Sequence, residues 1–526
     1  MSLSILAAQT APAGAIVTGD RVGQDLVLRP DVCVVGSGPG GAMAASRCAR
    51  AGLSVIVLEE GGHHTKDEFD MQEATAFPKL YQDRGNRASA DLSVSILQGR
   101  AVGGGTVINW TTSYRTPDRV VEWWRAREGT EVTPAALRPH FDEVEARLGI
   151  NKVLLEDTNA NNRALWDGCK NLGWQVDTTS RNVRGCIRSG YCGMGCPVDA
   201  KQSAALTYLP DAIAAGATVY ANCRVERLEW SGKRVSAAVG RVLDPVTQQP
   251  TGRTVRVEPR ALVVSGGALN SPALLLRSGL TQGPVGRKTW IHPVVGALGI
   301  YRDRIEGFYG APQSVASHHF AERPEGAGFF LEASPVHPMI SGIALAGFGA
   351  GLRLNARALA HIATNLALVI DGFGPEADEP GGTVTLRADG GPKLDYPFGE
   401  RLQEAFRAGM KALVQVHLAA GALEAKTLHT RPLSYVSAAD LKQIDEAPTG
   451  PNQLGVFTAH QMGGCRMGQD PARSVVDPHL RHHAVENLWV LDGSVFPTSL
   501  GVNPMESIYG LASWASQHLI ASLTRS

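Results

Sequence analysis

The chain has 526 residues, 44% of them hydrophobic and 19% charged, so apolar surface is ample for a large core and both disorder and a fibre are excluded. Lys+Arg 50 against Asp+Glu 50 leaves no net charge, and no basic run occurs, which argues against nucleic acid as a partner and for a small ligand. The 59 glycines, about 11% of the chain against a usual share of roughly 7%, follow no three-residue period and need a local explanation.

Met1 to Leu28 lacks both the basic stretch and the unbroken apolar stretch of a secretory signal. The expectation is a protein with no export signal of its own, cytoplasmic or peripherally membrane-associated. The longest apolar runs, such as Ala261 to Leu276, are cut by Ser, Gly, Asn and Pro, so no transmembrane segment is expected. Val32 to Val35 reads as a strand, followed by Gly36-Ser37-Gly38-Pro39-Gly40-Gly41, a small-residue helix from Ala42 to Ala51, and a second strand from Ser54 to Leu58. This βαβ unit carries GxGxxG at Gly36, Gly38 and Gly41, and Glu59 stands 18 residues after Gly41. Each part serves a dinucleotide. Gly36 permits the tight turn, Gly38 admits the pyrophosphate to the backbone, Gly41 lets helix and strand pack, and Glu59 accepts the ribose hydroxyls, with Glu60 as the fallback.

A second glycine cluster, Gly99-Arg100-Ala101-Val102-Gly103-Gly104-Gly105-Thr106-Val107-Ile108-Asn109, reads either as a flexible turn or as bare backbone against an extended ligand. Trp123 and Trp124 lie in an amphipathic segment and are read as packing residues. Ala215 to Glu229 and Gly252 to Val264 read as strands. Gly266-Gly267-Ala268-Leu269-Asn270-Ser271-Pro272 is another strand-to-helix entry, serving as a cap or a contact. From about Gly296 to Asp395 several β-like runs separated by Gly and Pro suggest an antiparallel sheet. Glu400 to Ala419 reads as an amphipathic helix, Leu488 to Asp492 as a short buried strand, and Glu506 to Ser522 as a final helix.

The three glycine stretches, in this order, resemble the glucose-methanol-choline (GMC) oxidoreductases, a family of FAD enzymes. GRAVGGGTVIN resembles the first signature and GGALNSPALLLRSG the second. TAHQMGGCRMG and VLDGSVFPTSLGVNPMES resemble the motifs that close the active site. The resemblance implies an α/β fold, α+β overall. It comprises a Rossmann-like FAD-binding domain (1–295, with a lid or insert at about 116–205), an interleaved substrate domain on an antiparallel sheet (296–450), and a C-terminal return (451–526) carrying the catalytic pair. It also implies FAD-dependent oxidation of an alcohol to an aldehyde or ketone. His460 is then the base, Asn503, 43 residues on, its orienting partner, and hydride passes to flavin N5. Arg100, Gly104, Asn109, Val225, Asp492 and Gly493 are implied cofactor contacts, and His292 before Pro293 is expected to pack near the flavin. No His occurs between Gln98 and Trp110, where some relatives attach FAD covalently, so dissociable FAD is expected.

Of the eight cysteines, Cys186, Cys192 and Cys196 are grouped, and the run resembles the bacterial branch near long-chain fatty-alcohol oxidases. Similar runs in sugar dehydrogenase subunits hold a [3Fe-4S] cluster, which makes these three the candidate iron–sulfur ligands. Reduced thiols, or one disulfide and a free Cys, are the other readings. His479, His482 and His483 read as loop residues. Phe308, Tyr309, Phe320, Phe329, Phe330, Leu331, Met339 and Phe348 favour an apolar or aromatic alcohol over a sugar. The electron acceptor would be oxygen, a quinone or an electron-transfer protein. Alternatives are a non-oxidative flavoprotein of the same fold, of lyase or photodecarboxylase type, and a sugar or polyol dehydrogenase subunit that passes electrons through the cluster.

Overall fold

The computed structural model describes residues 13–344, 349–374, 378–431 and 433–524. Six strands form a parallel sheet in the order Ile16–Val17, Thr218–Tyr220, Val55–Leu58, Val32–Val35, Ala261–Val264, Leu488–Val490. Four of them, VCVV, VIVL, ALVV and LWV, are apolar and buried throughout, as a sheet covered on both faces requires. The helix Pro39–Arg50 leaves the central strand and packs beside the C-terminal helix Met505–Thr524. The start of the first helix packs on the strand ends through bare backbone, since a Cβ on Gly41 would lie 2.0 Å from the Gly36 carbonyl oxygen and one on Gly40 1.7 Å from that of Leu491.

A nine-stranded, largely antiparallel sheet supplies the second layer, with Val294–Ile300, Ile362–Val369 and Phe329–Ala333 at its centre. Its side chains alternate. Val295 and Ala367 face the helix Glu400–Ala419, where Gly409 lets the backbones close, whereas Val294, Leu366 and Leu368 face the large cavity described below. The expected helix 400–419 is present with those bounds.

Two expected strands are each divided. Ala215 to Glu229 is split by the turn at Asn222, φ +55°, into Thr218–Tyr220 and Cys223–Ser231. Gly252 to Val264 is interrupted at Pro259, which cannot donate to a ladder, giving Pro250–Val257 and Ala261–Val264 in different sheets. Helices Pro338–Ala344 and Ala350–Arg357 lie between the strands of the region in which several β-like runs were expected. Among the described residues, no helix is long and apolar enough to cross a membrane.

Candidate active site

A cavity of about 290 Å³ lies where the parallel strands end and meet the antiparallel sheet. A crevice beyond the carboxyl ends of parallel strands is where such sheets take ligands. Gly36, Gly38, Glu59, Gly104, Asn109, Val225, Asp492, Gly493, His460 and Asn503 all line it, so residues far apart in sequence share one space. Gly36 needs to be glycine because φ is +100° and a Cβ would strike the Ser265 carbonyl oxygen at 2.3 Å. Gly38 differs: a Cβ there would meet no protein atom within 4 Å, and the same holds for Gly105. Their bareness therefore leaves room for an occupant of the cavity. Glu59 is buried and accepts from the Ser37 N–H at 2.9 Å, the Ser37 hydroxyl at 2.6 Å and the Gly61 N–H at 2.7 Å, while burial holds its carboxyl above the usual range. Asp492 accepts from the Gly267 N–H at 2.8 Å and the Ser494 N–H at 2.8 Å, tying the last parallel strand to the third glycine stretch.

Two of the expected cofactor residues lie elsewhere. Gly41 packs beneath the turn rather than lining the space, as its helix-packing role implies. Arg100 is drawn out of the cavity wall by Glu60, at 3.0 Å, and by Gln248, at 2.7 Å.

The loop before Met462–Gly463 carries His460, and the turn before the last helix carries Asn503. His460 Nε2 lies 3.4 Å from Asn503 Nδ2. Burial pushes the His460 imidazole down to about 4, so it is neutral at pH 7. Its other nitrogen, Nδ1, lies 3.2 Å from Nδ1 of His292. His292 sits at φ +40°, held by Asp371, whose carboxylate accepts the Ile291 and His292 N–H groups at 2.8 and 2.9 Å. His292 Nε2 accepts the Gly501 N–H at 3.1 Å. A neutral imidazole has one N–H, so two donors compete over the His460 proton: a His292 accepting from Gly501 at Nε2 donates from Nδ1 and puts that proton on His460 Nε2, whereas an Asn503 amide donating to Nε2 puts it on Nδ1.

Reading the sequence placed His292 near the site but missed its contact with His460, and it missed Glu332 altogether. Glu332 is fully buried, accepts from Gln313 at 2.5 Å and faces Asn503 Nδ2 at 3.5 Å, with one oxygen unpartnered. The signal was available, since FFLEA is an apolar strand with a single acid. Burial pushes this carboxyl up to about 8. A carboxyl held above its unfolded value stabilises the fold at low pH, and that contribution is lost as pH rises from about 4.3 through about 8, by up to about 1.4 kcal/mol per unit. Glu332→Gln keeps an accepting oxygen without the titration. The variant is expected to melt above the parent at pH 8 and to show a flatter melting-temperature profile from pH 5 to 9; parallel profiles would be the contrary result.

Part of the cavity wall is apolar, built from Trp110, Val294, Leu366, Leu368 and Phe457, which pack in one cluster. These are not the residues expected from sequence. Phe329, Phe330 and Leu331 are buried in the sheet, and Phe320 packs on Phe329. Tyr309 and Met339 are exposed, Phe308 packs against Tyr309, and Phe348 lies outside the described residues.

The structure lends the cysteine run no support as a cluster site. Among the described residues, no group of three His, Cys, Asp or Glu side chains is placed to hold a metal ion. Cys186, Cys192 and Cys196 border a separate cavity of about 20 Å³, room for about one water rather than an iron–sulfur cluster. The Arg181 guanidinium reaches the Cys186 and Cys192 sulfurs at 3.9 and 3.5 Å. His483 is bound to Ser474 at 2.8 Å, and His479 packs on His518.

Comparison with known proteins agrees with this geometry. Residues 31–66 match an FAD binding domain, and the bare turn and acid-ended strand described above fit that cofactor. Residues 77–294 and 378–512 match the two models of the GMC oxidoreductases. Long-chain-alcohol oxidase FAO4B of Arabidopsis thaliana is 31% identical over 94% of this chain and 68% of its own length. An uncharacterized GMC-type oxidoreductase of Mycobacterium tuberculosis is 34% identical over 94% of this chain and 77% of its own. Among solved structures, pyridoxine 4-oxidase from Mesorbium loti superposes with a TM-score of 0.69 at 20% identity, covering 93% of this chain and 98% of that one. With these matches along most of its length, the protein belongs to the GMC oxidoreductase family.

Proposed function

We propose that this protein oxidises an apolar alcohol to an aldehyde or ketone with dissociable FAD. The observation that carries the reading is a neutral His460 paired with Asn503 on an apolar wall, within one cavity that also holds the bare glycine turn. When bound, FAD supplies the two-electron acceptor for the hydride leaving the carbinol carbon. Gly36, Gly38, Glu59, Gly104, Val225 and Asp492 hold the cofactor, and Asn109 and Gly493 lie beside it. The unpartnered Asn503 Oδ1 and the Asn503 amide group orient the substrate hydroxyl. His460 takes the hydroxyl proton at Nε2 in the tautomer that carries its own proton on Nδ1, the one an Asn503 amide donating to Nε2 favours. In that tautomer His292 accepts at Nδ1 and carries its N–H on Nε2, so the buried Gly501 N–H lacks its acceptor, at a cost of about 1–3 kcal/mol. Trp110, Phe457 and Leu366 exclude water from this step. The long-chain-alcohol oxidase relatives support the substrate class.

Anaerobic mixing of the holoprotein with aromatic and medium-chain primary alcohols is expected to bleach the flavin, and glucose is not. Bleaching by glucose alone would refute the apolar assignment, and no bleaching by any alcohol would refute alcohol oxidation. Oxygen uptake during turnover then separates oxygen from a quinone or protein acceptor. Acid precipitation should leave all the flavin in the supernatant, whereas yellow pellet would show a covalent bond.

A further inference from the structure

The three-cysteine loop is left without a task by the reading above, yet its surroundings are unusual. Arg181 and Lys201 are each 2% exposed, and the partners of their charged groups are hydroxyl, sulfur and carbonyl groups. Arg181 is held by the Thr111 hydroxyl at 2.7 Å and otherwise faces two sulfurs. Lys201 donates from its ammonium to the carbonyl oxygens of Cys192 at 2.6 Å, Asn109 at 3.0 Å and Val107, and its backbone N–H points at the Cys196 sulfur at 3.5 Å. Two buried cations are thus matched only by sulfur, hydroxyl and carbonyl groups. The thiols remain partly open to solvent, while the other five cysteines are buried.

The loop also reaches the large cavity. Gly193 and Met194 directly follow Cys192 and line it, and the Gly193 carbonyl accepts from the Tyr81 hydroxyl at 2.7 Å. Through Lys201 the same loop is fastened to the carbonyls of Val107 and Asn109 in the second glycine stretch.

We infer that Cys192, with Cys186 and Cys196 beside it, is a site of reversible oxidation by hydrogen peroxide whose state is transmitted to the wall of the flavin cavity. Partly exposed cysteines in an electropositive setting are those that attack peroxide. The Cys192 sulfur attacks one peroxide oxygen, the O–O bond breaks, and the sulfur becomes a sulfenic acid with release of one water. A neighbouring thiol then attacks that sulfur, an S–S bond forms, and the oxygen leaves as a second water. Two thiols lose two electrons in all and one peroxide gains two. A disulfide in so short a loop draws Cys192 toward its partner and shifts the carbonyl that Lys201 holds, so the strain reaches Gly193 and the 107–109 segment.

The test uses reduced holoprotein, titrated with hydrogen peroxide, trapped with a sulfenic-acid reagent and mapped by mass spectrometry, with iron and acid-labile sulfide measured on the same preparation. Cys192 is expected to take the label or to appear in a peptide joined to Cys186 or Cys196 with two hydrogens lost, before any of the five buried cysteines reacts. The flavin spectrum should shift with this oxidation and return on adding dithiothreitol. Cys192→Ser should abolish both changes, and Cys186→Ser and Cys196→Ser identify the partner should the first variant fold poorly. Oxidation spread evenly over all eight cysteines, none at stoichiometric peroxide, or iron and sulfide bound by the loop would each overturn the inference. Oxidation at Cys192 with an unchanged flavin spectrum would overturn the coupling.

Discussion

His460→Ala is expected to purify yellow, with its flavin bound, and to be reduced by alcohol about 10²- to 10⁴-fold more slowly than the parent. The cofactor contacts proposed above come from other segments, so removing the imidazole takes away the proton acceptor and leaves the glycine turn and Glu59 intact. The pH profile of the parent supplies a second reading. Burial lowers the His460 imidazole to about 4, so the base is free above that value and loses its function only as pH falls through it. The rate of flavin reduction should therefore have its acid limb near pH 4 rather than near the pH 6.5 of a solvated histidine. Rapid reduction of the Ala variant, or an acid limb near 6.5, would count against His460 as the base.

Gly38→Val is expected to fold but to lose FAD. Position 38 has extended backbone, φ −64° and ψ −171°, which valine tolerates, and a Cβ there meets no protein atom within 4 Å. Its cost to the apoprotein is that of a poor residue at the start of the helix Pro39–Arg50, about 1 kcal/mol. The added methyls instead project into the space proposed for the cofactor. Gly36→Ala is the informative contrast. At φ +100° and 2.3 Å from the Ser265 carbonyl oxygen, even one methyl disturbs the junction of two parallel strands, so this variant should lose stability as well as flavin. Thermal melts of the two apoproteins, with flavin absorbance after reconstitution, separate a blocked cavity from a damaged fold. Stoichiometric FAD in Gly38→Val would show that the cofactor does not approach this backbone.

Much of the fold could be read from local pattern. Four-residue apolar strands, a GxGxxG turn and an acid at the end of the next strand specify a βαβ unit because each feature acts within about 30 residues. The helix Glu400–Ala419 was equally plain, since an amphipathic stripe reports its own period. Pro259 and Asn222 were read through because their effect is to send the chain into another sheet, and nothing local states which one. The aromatic residues of the middle segment misled for a related reason. In Phe329–Ala333 the residues are buried within the sheet on both sides, and composition does not say which neighbouring strand presents its face to the cavity. Leu366 and Leu368 do so by alternation with Ala367 and Val369, a distinction of one residue in register.

The candidate site divides in the same way. His460 and Asn503 were found through motif resemblance, and their 3.4 Å approach confirms only that the chain brings them together. The sequence by itself determined the cofactor class, because glycine turns and acid-ended strands act through the backbone they sit on, and its motif resemblance singled out the pair proposed for the proton chemistry. Only the tertiary structure decided the environment of that pair. His292, 168 residues away, competes with Asn503 over where the His460 proton rests, and Glu332, 171 residues from Asn503, becomes an acid with a raised pKa beside it. The physical reason is desolvation. Whether a histidine is neutral or a carboxyl keeps its proton depends on which distant strands exclude water from it, and spacing along the chain carries no record of that.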